Sequence, residues 1–192
     1  MTATEPVEVD ANPDSFRRMD ESTAEQWAVI GERTSANQGR VADRILMLLE
    51  SLAQISDGFI TDQLTHSLQT ATMAERAGAD EEMIFGALCH DIGKAISVPN
   101  HGAISAEMIQ PYVRDDVYQA IRHHQDFQGR HYSHHFAAPT DLRDRFADDS
   151  WFALCEEFTD DWDQQAFDPD YDTLPLEHFE PLVRKLTAQA RF

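Results

Sequence analysis

At Ala87-Leu88-Cys89-His90-Asp91-Ile92-Gly93-Lys94, an apolar helical run ends by presenting a histidine and an aspartate side by side. An imidazole nitrogen and a carboxylate oxygen are both common ligands of transition metals. Two ligands alone do not complete a metal site, so further ligands would have to come from other parts of the chain. The stretch is therefore the nucleus of a candidate metal site, and the remaining sequence decides whether the site can be completed.

Helical patterns surround this stretch on both sides. Val41, Ile45, Leu48, Leu49 and Leu52 form one apolar stripe at helical spacing. We find no alternating Val- and Ile-rich runs bounded by turns, which would indicate a sheet. The sequence therefore predicts an all-α fold. The expected helices span about residues 22–33, 36–55, 61–77, 80–93, 101–111, 115–124, 151–163 and 176–186.

Local signals set several of these boundaries. Ser22-Thr23-Ala24-Glu25 has the form of a capping box for the first helix. Asp80 is a suitable N-cap for the helix that leads to His90. Asp115 or Asp116 is a suitable N-cap for the helix that carries His124. The stretch from Gln125 to Asp148 is polar and lacks a clear period, which predicts a functional loop.

Composition limits the classes of partner. The 192 residues suit a single domain, and we expect a disordered acidic N-terminus over 1–14 followed by one domain over 15–192. A formal net charge of −20 argues against nucleic acid, whose binding requires basic residues that neutralise phosphates. We find no membrane-spanning apolar run and no signal-peptide pattern, so we expect a cytoplasmic protein that binds no membrane. A small molecule or a cation is the better partner.

The two cysteines are not expected to form a metal or redox site. Cys89 and Cys155 lie in apolar helical patterns, and the chain has no CxxC spacing. In such patterns a buried free thiol is commoner than a disulfide. The candidate ligands are therefore histidines and aspartates.

Six residues on the predicted helices, His90 among them, could form one metal site. A single helical histidine is usually a surface residue or a hydrogen-bonded core residue, but here several follow one another in a consistent order. His124 shares the apolar face of Val117 and Ile121, whereas His123 is turned about 100° away from it. Histidines and carboxylates on facing helices build dinuclear iron or manganese centres, in which one carboxylate can bridge both ions. The candidate metal ligands are His66, His90, Asp91, His101, His124 and Asp163.

The order of a histidine, the His90-Asp91 pair with Ile92-Gly93-Lys94, and a late aspartate resembles the HD-domain superfamily. Most members of that superfamily are phosphohydrolases. Two local strings resemble the mixed-valent diiron HD oxygenases, the group of myo-inositol oxygenase and the organophosphonate-cleaving dioxygenases. These strings are Gln63-Leu64-Thr65-His66-Ser67-Leu68-Gln69 and Trp162-Asp163-Gln164-Gln165-Ala166. The resemblance implies an HD-type helical bundle with a metal site in its core.

The resemblance also implies a reaction. It is the cleavage of the C–P bond of a 1-hydroxyphosphonate of the 2-amino- or 2-trimethylammonio-1-hydroxyethylphosphonate type. Two iron ions in the Fe(II)/Fe(III) state would act with O2 as co-substrate, and the products would be phosphate and glycine or glycine betaine. His66, His90, Asp91 and Asp163 would hold one iron, whereas Asp91, His101 and His124 would hold the other.

The resemblance further assigns residues to the substrate. Lys94 matches a substrate-contacting position and, with Asp91, is the expected catalytic residue, while Gln128 or Arg130 could meet a phosphonate oxygen. One feature departs from the pattern. Among the organophosphonate-cleaving dioxygenases, the enzyme that acts on an aminophosphonate closes its site with a tyrosine and a glutamate. In this chain Ser56 and Phe59 occupy the matching places. The alternative function is a metal-dependent HD phosphohydrolase that acts on a small phosphoester.

Overall fold

The computed structural model describes residue 12 and residues 14–191. The chain divides into two compact units, residues up to Arg40 and residues from Val41 onward, and each is described by itself. The expectation of a disordered N-terminus falls almost entirely on residues 1–11 and 13, which lie outside the described residues. The domain boundary expected after residue 14 stays a prediction.

The described residues form eight α-helices and contain no β-strand, so the prediction of an all-α fold is confirmed. None of the helices in this part of the chain is long and apolar enough to cross a membrane. The helices are α1 (Ala24–Gln38), α2 (Val41–Ser51), α3 (Gln63–Arg76), α4 (Glu81–Cys89), α5 (His101–Ile109), α6 (Asp115–Tyr132), α7 (Phe152–Glu157) and α8 (Leu176–Thr187).

Helix α1, in the first unit, begins one residue later than the sequence suggested. Thr23 is the N-cap, and its hydroxyl accepts from the Gln26 backbone N–H while the Gln26 side chain accepts from the Thr23 N–H. The predicted box from Ser22 to Glu25 is therefore wrong, because the Ser22 hydroxyl instead donates to the carbonyl of Met19 and accepts from the Trp27 indole. The helix also continues past the predicted end at Arg33, to Gln38.

The core of the second unit lies around α4. Every residue of α4 from Met83 to Cys89 is buried, because the helix has α3 packed on one side and α6 on another. Asp80 caps its first turn as predicted, accepting from the backbone N–H groups of Glu82 and Met83. The apolar face of α8 contributes Phe179 and Val183 to the same core. This packing fixes the end of α4, and with it His90, in the interior.

Helix α6 is longer than the sequence analysis predicted. It continues through Tyr132, so the prediction of a loop from Gln125 onward is wrong over residues 125–132. The predicted aspartate cap is also wrong: Arg114 is the N-cap, without a side-chain cap, and Asp115 and Asp116 lie in the first turn. Phe127 explains the extension, since it is fully buried against Phe152, with ring centroids 5.1 Å apart. Beyond Tyr132 the chain forms two 3₁₀ segments, Ser133–Phe136 and Leu142–Phe146.

The region predicted as one helix over residues 151–163 changes its winding twice. The α7 helix ends at Glu157, a π-helical turn follows at Phe158–Trp162, and a 3₁₀ turn begins at Asp163. A π-helical turn adds a residue to the turn and so rotates everything after it, which is why such turns often occur at functional sites. Here the turn leaves Asp163 fully buried.

Both cysteines are buried free thiols, as predicted. Cys155 donates to the carbonyl oxygen of Ala120 at 3.4 Å. Burial raises the pKa of both Cys89 and Cys155, because an apolar surrounding disfavours the thiolate.

Candidate metal centre

The six candidate ligands converge at one buried place within the second unit. Each is at most 5% exposed, and together they come from three helices and from the segments that follow α4 and the π-helical turn. His66 lies on α3, His90 directly after α4 with Asp91 next to it, His101 at the start of α5, His124 on α6, and Asp163 just after the π-helical turn.

Three of these residues form what we call the α3–α4 group: His66, His90 and Asp163. The Nε2 atoms of His66 and His90 are 3.1 Å apart, and Asp163 Oδ1 lies 3.1 Å from His66 Nε2 and 3.5 Å from His90 Nε2. Three nitrogen and oxygen atoms therefore face one another in the interior, in a compact arrangement typical of ligands that share one metal ion.

The other two histidines form the α5–α6 group: His101 and His124. Their Nε2 atoms are also 3.1 Å apart. Asp91 Oδ1 lies 2.9 Å from His101 Nε2 and 3.6 Å from His124 Nε2. The ligand atoms of His90, Asp91 and His124 also lie within 4.8 Å of one another, so the two groups are adjacent.

Asp91 lies between the two groups, with one carboxylate oxygen toward each. Its Oδ1 faces the α5–α6 group, whereas its Oδ2 lies 3.5 Å from His66 Nε2 and 3.4 Å from His90 Nε2. A carboxylate in this position can bridge two ions. The bridging position follows from the fold, because Asp91 is the first residue beyond the C-cap of α4, at the point where the chain turns toward α5.

Backbone carbonyls fix the orientation of all four imidazoles. Each Nδ1 lies between 2.7 and 3.0 Å from a carbonyl oxygen, which can only accept, so each Nδ1 carries the proton. In a neutral imidazole the other nitrogen, Nε2, then carries a lone pair and can bind a metal. The carbonyl partners of His66, His90, His101 and His124 belong to Ala166, Ala87, Val98 and Ile121, respectively.

The two carboxylates dominate the electrostatics of the centre. Burial alone would raise the pKa of Asp91 and of Asp163, but the neighbouring histidines hold the pKa of both carboxyls well below the usual range. Burial opposes a charge on His90 too, yet Asp91 and Asp163 raise the pKa of His90 to about 10. For His124, burial prevails and lowers the pKa. The carboxylates are therefore ionised, and they attract positive charge into the interior.

These features fit a bound metal cation. Two imidazole lone pairs that face each other across 3.1 Å repel unless a proton or a cation lies between them. Ligand atoms about 2.1 Å from one ion and about 90° apart are separated by about 3 Å, which matches this spacing. In addition, Oδ1 of both Asp91 and Asp163 is buried and has no well-aligned hydrogen bond among the described residues. Four imidazoles and two carboxylates form a donor set that suits iron, manganese or zinc.

Two glycines allow the α5–α6 group to pack this closely. A Cβ atom added at Gly93 would overlap the carbonyl of His101 and lie 2.9 Å from its Cα, so only glycine permits this approach of two backbones. A Cβ atom added at Gly102 would lie 3.0 Å from Cε1 of His124. The position of His101 therefore depends on glycine at residue 93, and the position of His124 depends on glycine at residue 102.

The structure brings two of the predicted substrate residues to the centre. Lys94 Nζ, with a side chain 13% exposed, donates to Asp91 Oδ2 at 2.6 Å. Gln128 lies one helical turn beyond His124 and donates through Nε2 to Asp163 Oδ2. Arg130 is exposed, and helix geometry turns it about 200° from Gln128, so the structure does not bring it together with the others. Its role in substrate binding stays a prediction.

Two further features of the site were missed by the sequence analysis. Gln63, one turn before His66, is fully buried and accepts from Lys94 Nζ at 2.8 Å through its Oε1. The only signal in the sequence was the spacing of Gln63, three residues before His66 and so on the same helix face. In addition, Phe167 stacks on His66 at 4.3 Å and Phe59 stacks on Phe167 at 4.8 Å, so half-exposed Phe59 begins a line of rings that ends at a ligand. Nothing in the spacing of Phe59 and Phe167 indicated this contact.

The fold and the site define an all-α protein with a buried histidine–aspartate centre able to hold metal ions. A family model of the HD domain matches residues 64–175, more than half of the chain and the part that contains all six candidate ligands. The chain belongs to the HD domain family, whose members are typically metal-dependent enzymes. No curated protein matches the chain in the search of known sequences.

Proposed function

We propose that this HD-domain protein is a diiron oxygenase that cleaves the C–P bond of a 1-hydroxyphosphonate. The substrate would be of the 2-amino- or 2-trimethylammonio-1-hydroxyethylphosphonate type. One O2 would be consumed for each phosphate and each carboxylate, glycine or glycine betaine, that forms. The observation that carries the proposal is the position of Asp91, whose two oxygens face two histidine groups. The flanking strings that resemble the diiron oxygenases support it further.

In this proposal the ligands divide as the distances suggest. His66, His90 and Asp163 would hold one iron, His101 and His124 would hold the other, and Asp91 would contribute to both through its two oxygens. When bound, iron in the Fe(II)/Fe(III) state supplies the redox chemistry with O2 and the Lewis acidity that lowers the pKa of the substrate hydroxyl. Asp91 would thus keep both ions within reach of one substrate.

Lys94 is suited to bind the phosphonate group. Its ammonium lies 2.6 Å from Asp91 Oδ2 and so at the edge of the centre. An ammonium donates charge-assisted hydrogen bonds to phosphonate oxygens, which are stronger than neutral ones. Because the chain carries a net charge of −20, an anionic substrate requires such a local cation. Gln128 supports Asp163 from the other side.

Apolar rings shield the centre from water. Phe158 lies edge-on to His90 at 5.4 Å and to His124 at 6.3 Å, and Phe167 covers one face of His66. A dry surrounding strengthens electrostatic interactions within the site and limits side reactions of reactive intermediates. This protection suits oxygen chemistry.

The second candidate is a metal-dependent phosphohydrolase, favoured by the HD family itself. The same six ligands could hold ions that activate a water molecule and neutralise a phosphoester. Lys94 would then bind a phosphate instead of a phosphonate, so the placement of Lys94 suits both reactions. The two functions differ in whether O2 is consumed.

Oxygen consumption therefore provides the test. Protein loaded with Fe(II) and partly oxidised is examined by EPR for an antiferromagnetically coupled Fe(II)/Fe(III) pair. It is then mixed with 1-hydroxyphosphonates while O2 and phosphate are measured. We expect one O2 consumed for each phosphate released. Phosphate release from simple phosphoesters without oxygen uptake would contradict the oxygenase and support the phosphohydrolase.

A further inference from the structure

Several buried polar side chains in α3 and just before it have hydrogen-bonding capacity that is not used. Gln63 Nε2, Thr61 Oγ1 and Ser67 Oγ are buried and have no hydrogen-bond partner among the residues that the structure describes. Gln63 and Ser67 are four residues apart and so share one face of the helix. A buried polar atom left unpaired is destabilising, so such atoms require an explanation.

Gln63 connects this region to the metal centre. Its Oε1 accepts from Lys94 Nζ at 2.8 Å, and the same ammonium donates to Asp91 Oδ2 at 2.6 Å. The amide acceptor of Gln63 is thereby engaged, whereas its Nε2 retains two N–H donors. Lys94 has three N–H donors and uses two of them. Unused donors of both side chains thus lie close together beside the ligand Asp91.

This pattern of donors defines what could bind there. Because the acceptor of Gln63 is occupied by Lys94, the pair offers N–H donors and one positive charge. A matching ligand presents several acceptor oxygens and a negative charge, as a tetrahedral oxyanion does. Gln69 Oε1, on the same helix, also lacks a partner among the described residues, but only Gln63 is held beside Asp91 by Lys94. Methionine would fill a similar volume at residue 63 without the unpaired donors.

We infer that Gln63 is a substrate-binding residue, which holds Lys94 through Oε1 and donates through Nε2 to an oxygen of the phosphonate or phosphate group. The inference rests on the proposed metal-dependent function but applies to either reaction. Gln63 thereby sets the orientation of the anionic group relative to Asp91.

The test measures anion binding apart from catalysis. Protein loaded with Mn(II) is titrated with methylphosphonate by calorimetry, and the metal content and Tm of each variant are recorded. For Gln63→Met we expect the Kd to rise about tenfold, the loss of one hydrogen bond to a charged group, with Mn content unchanged. An unchanged Kd would show that Nε2 donates to water and not to the anion, and it would overturn the inference. A rise in Kd that merely follows a loss of Mn would also overturn it.

Gln69→Met is the matched control. Gln69 lies on the same helix, is equally buried and donates to the carbonyl of Asp168 at 2.6 Å, away from Lys94. We expect a lower Tm and an unchanged Kd for methylphosphonate. An equal rise in Kd in both variants would overturn the inference, because the effect would then be one of general stability.

A second variant keeps the inference testable if Gln63→Met does not fold. Gln63→Glu retains an acceptor for Lys94 but replaces the N–H donors with negative charge, so we expect a rise in Kd larger than tenfold. A Kd equal to that of the wild type would overturn the inference. The parent protein separates the two proposals: failure of the wild type to bind Mn(II) or methylphosphonate would contradict the proposed function itself.

Discussion

The α3–α4 group and the α5–α6 group contain similar ligands but are assembled across very different lengths of chain. His101 and His124 lie 23 residues apart on successive helices. In the α3–α4 group, by contrast, His66 depends on the turn that carries Asp163, and its Nδ1 donates to the carbonyl of Ala166, 100 residues away. Closing a longer loop costs more conformational entropy. The α5–α6 group therefore depends on local packing, whereas the α3–α4 group requires the complete fold.

Asp91→Ala should have the largest effect, because Asp91 is the residue that faces both groups. Each group loses an oxygen ligand, and the buried histidines lose a negative neighbour. We expect both ions to be lost, with affinities at least 10- to 100-fold lower than those of the wild type. Metal content after dialysis, measured by plasma mass spectrometry, checks this. Retention of one ion at wild-type affinity would show that Asp91 is a ligand in only one of the two groups.

His66→Ala and His124→Ala should each have an intermediate effect, because each removes a ligand from one group. We expect each variant to lose one ion and keep the other, as measured by metal content. His123→Ala is the control, since His123 stacks on Trp151 at 5.3 Å and pairs with Asp126 outside the centre. Equal metal loss in the His123 and His124 variants would show that the assignment of the α6 face is wrong.

Gly102→Ala should have the smallest effect and should be confined to the α5–α6 group. The added methyl would lie 3.0 Å from Cε1 of His124, so the ring has to move by a few tenths of an ångström. We expect about tenfold weaker binding of one ion, measured by competition with a chelator. In the control Gly31→Ala, the added Cβ meets no atom within 4 Å, and metal binding should not change. Equal weakening of both ions in Gly102→Ala would contradict the separation of the groups.

Much of the fold was predictable because apolar residues repeat at helical spacing. That spacing predicted α3 and α4 to within a few residues, and Asp80 marked the start of α4 correctly. The extension of α6 was missed because its last turns are mostly polar, although buried Phe127 continues the face of His124. The π-helical turn was also missed, since hydropathy does not reveal one extra residue in a turn.

The residues of the centre were predictable, but their partners were not. The order of histidines and aspartates identified the six residues that the structure places together. The sequence could not reveal that Gln63 holds Lys94, because this contact joins side chains 31 residues apart on different elements. Nor could it reveal the backbone carbonyls that orient each imidazole, since any residue can supply a carbonyl.

The burial of both thiols has a consequence for how they respond to oxidants. Cys89 is directly next to His90, yet its raised pKa keeps it as a thiol, which is a poor metal ligand and a poor target for oxidants. Cys155 is protected in the same way. An oxidant that reaches either cysteine would therefore find a thiol and not the more reactive thiolate. The two cysteines can therefore be expected to stay reduced in air.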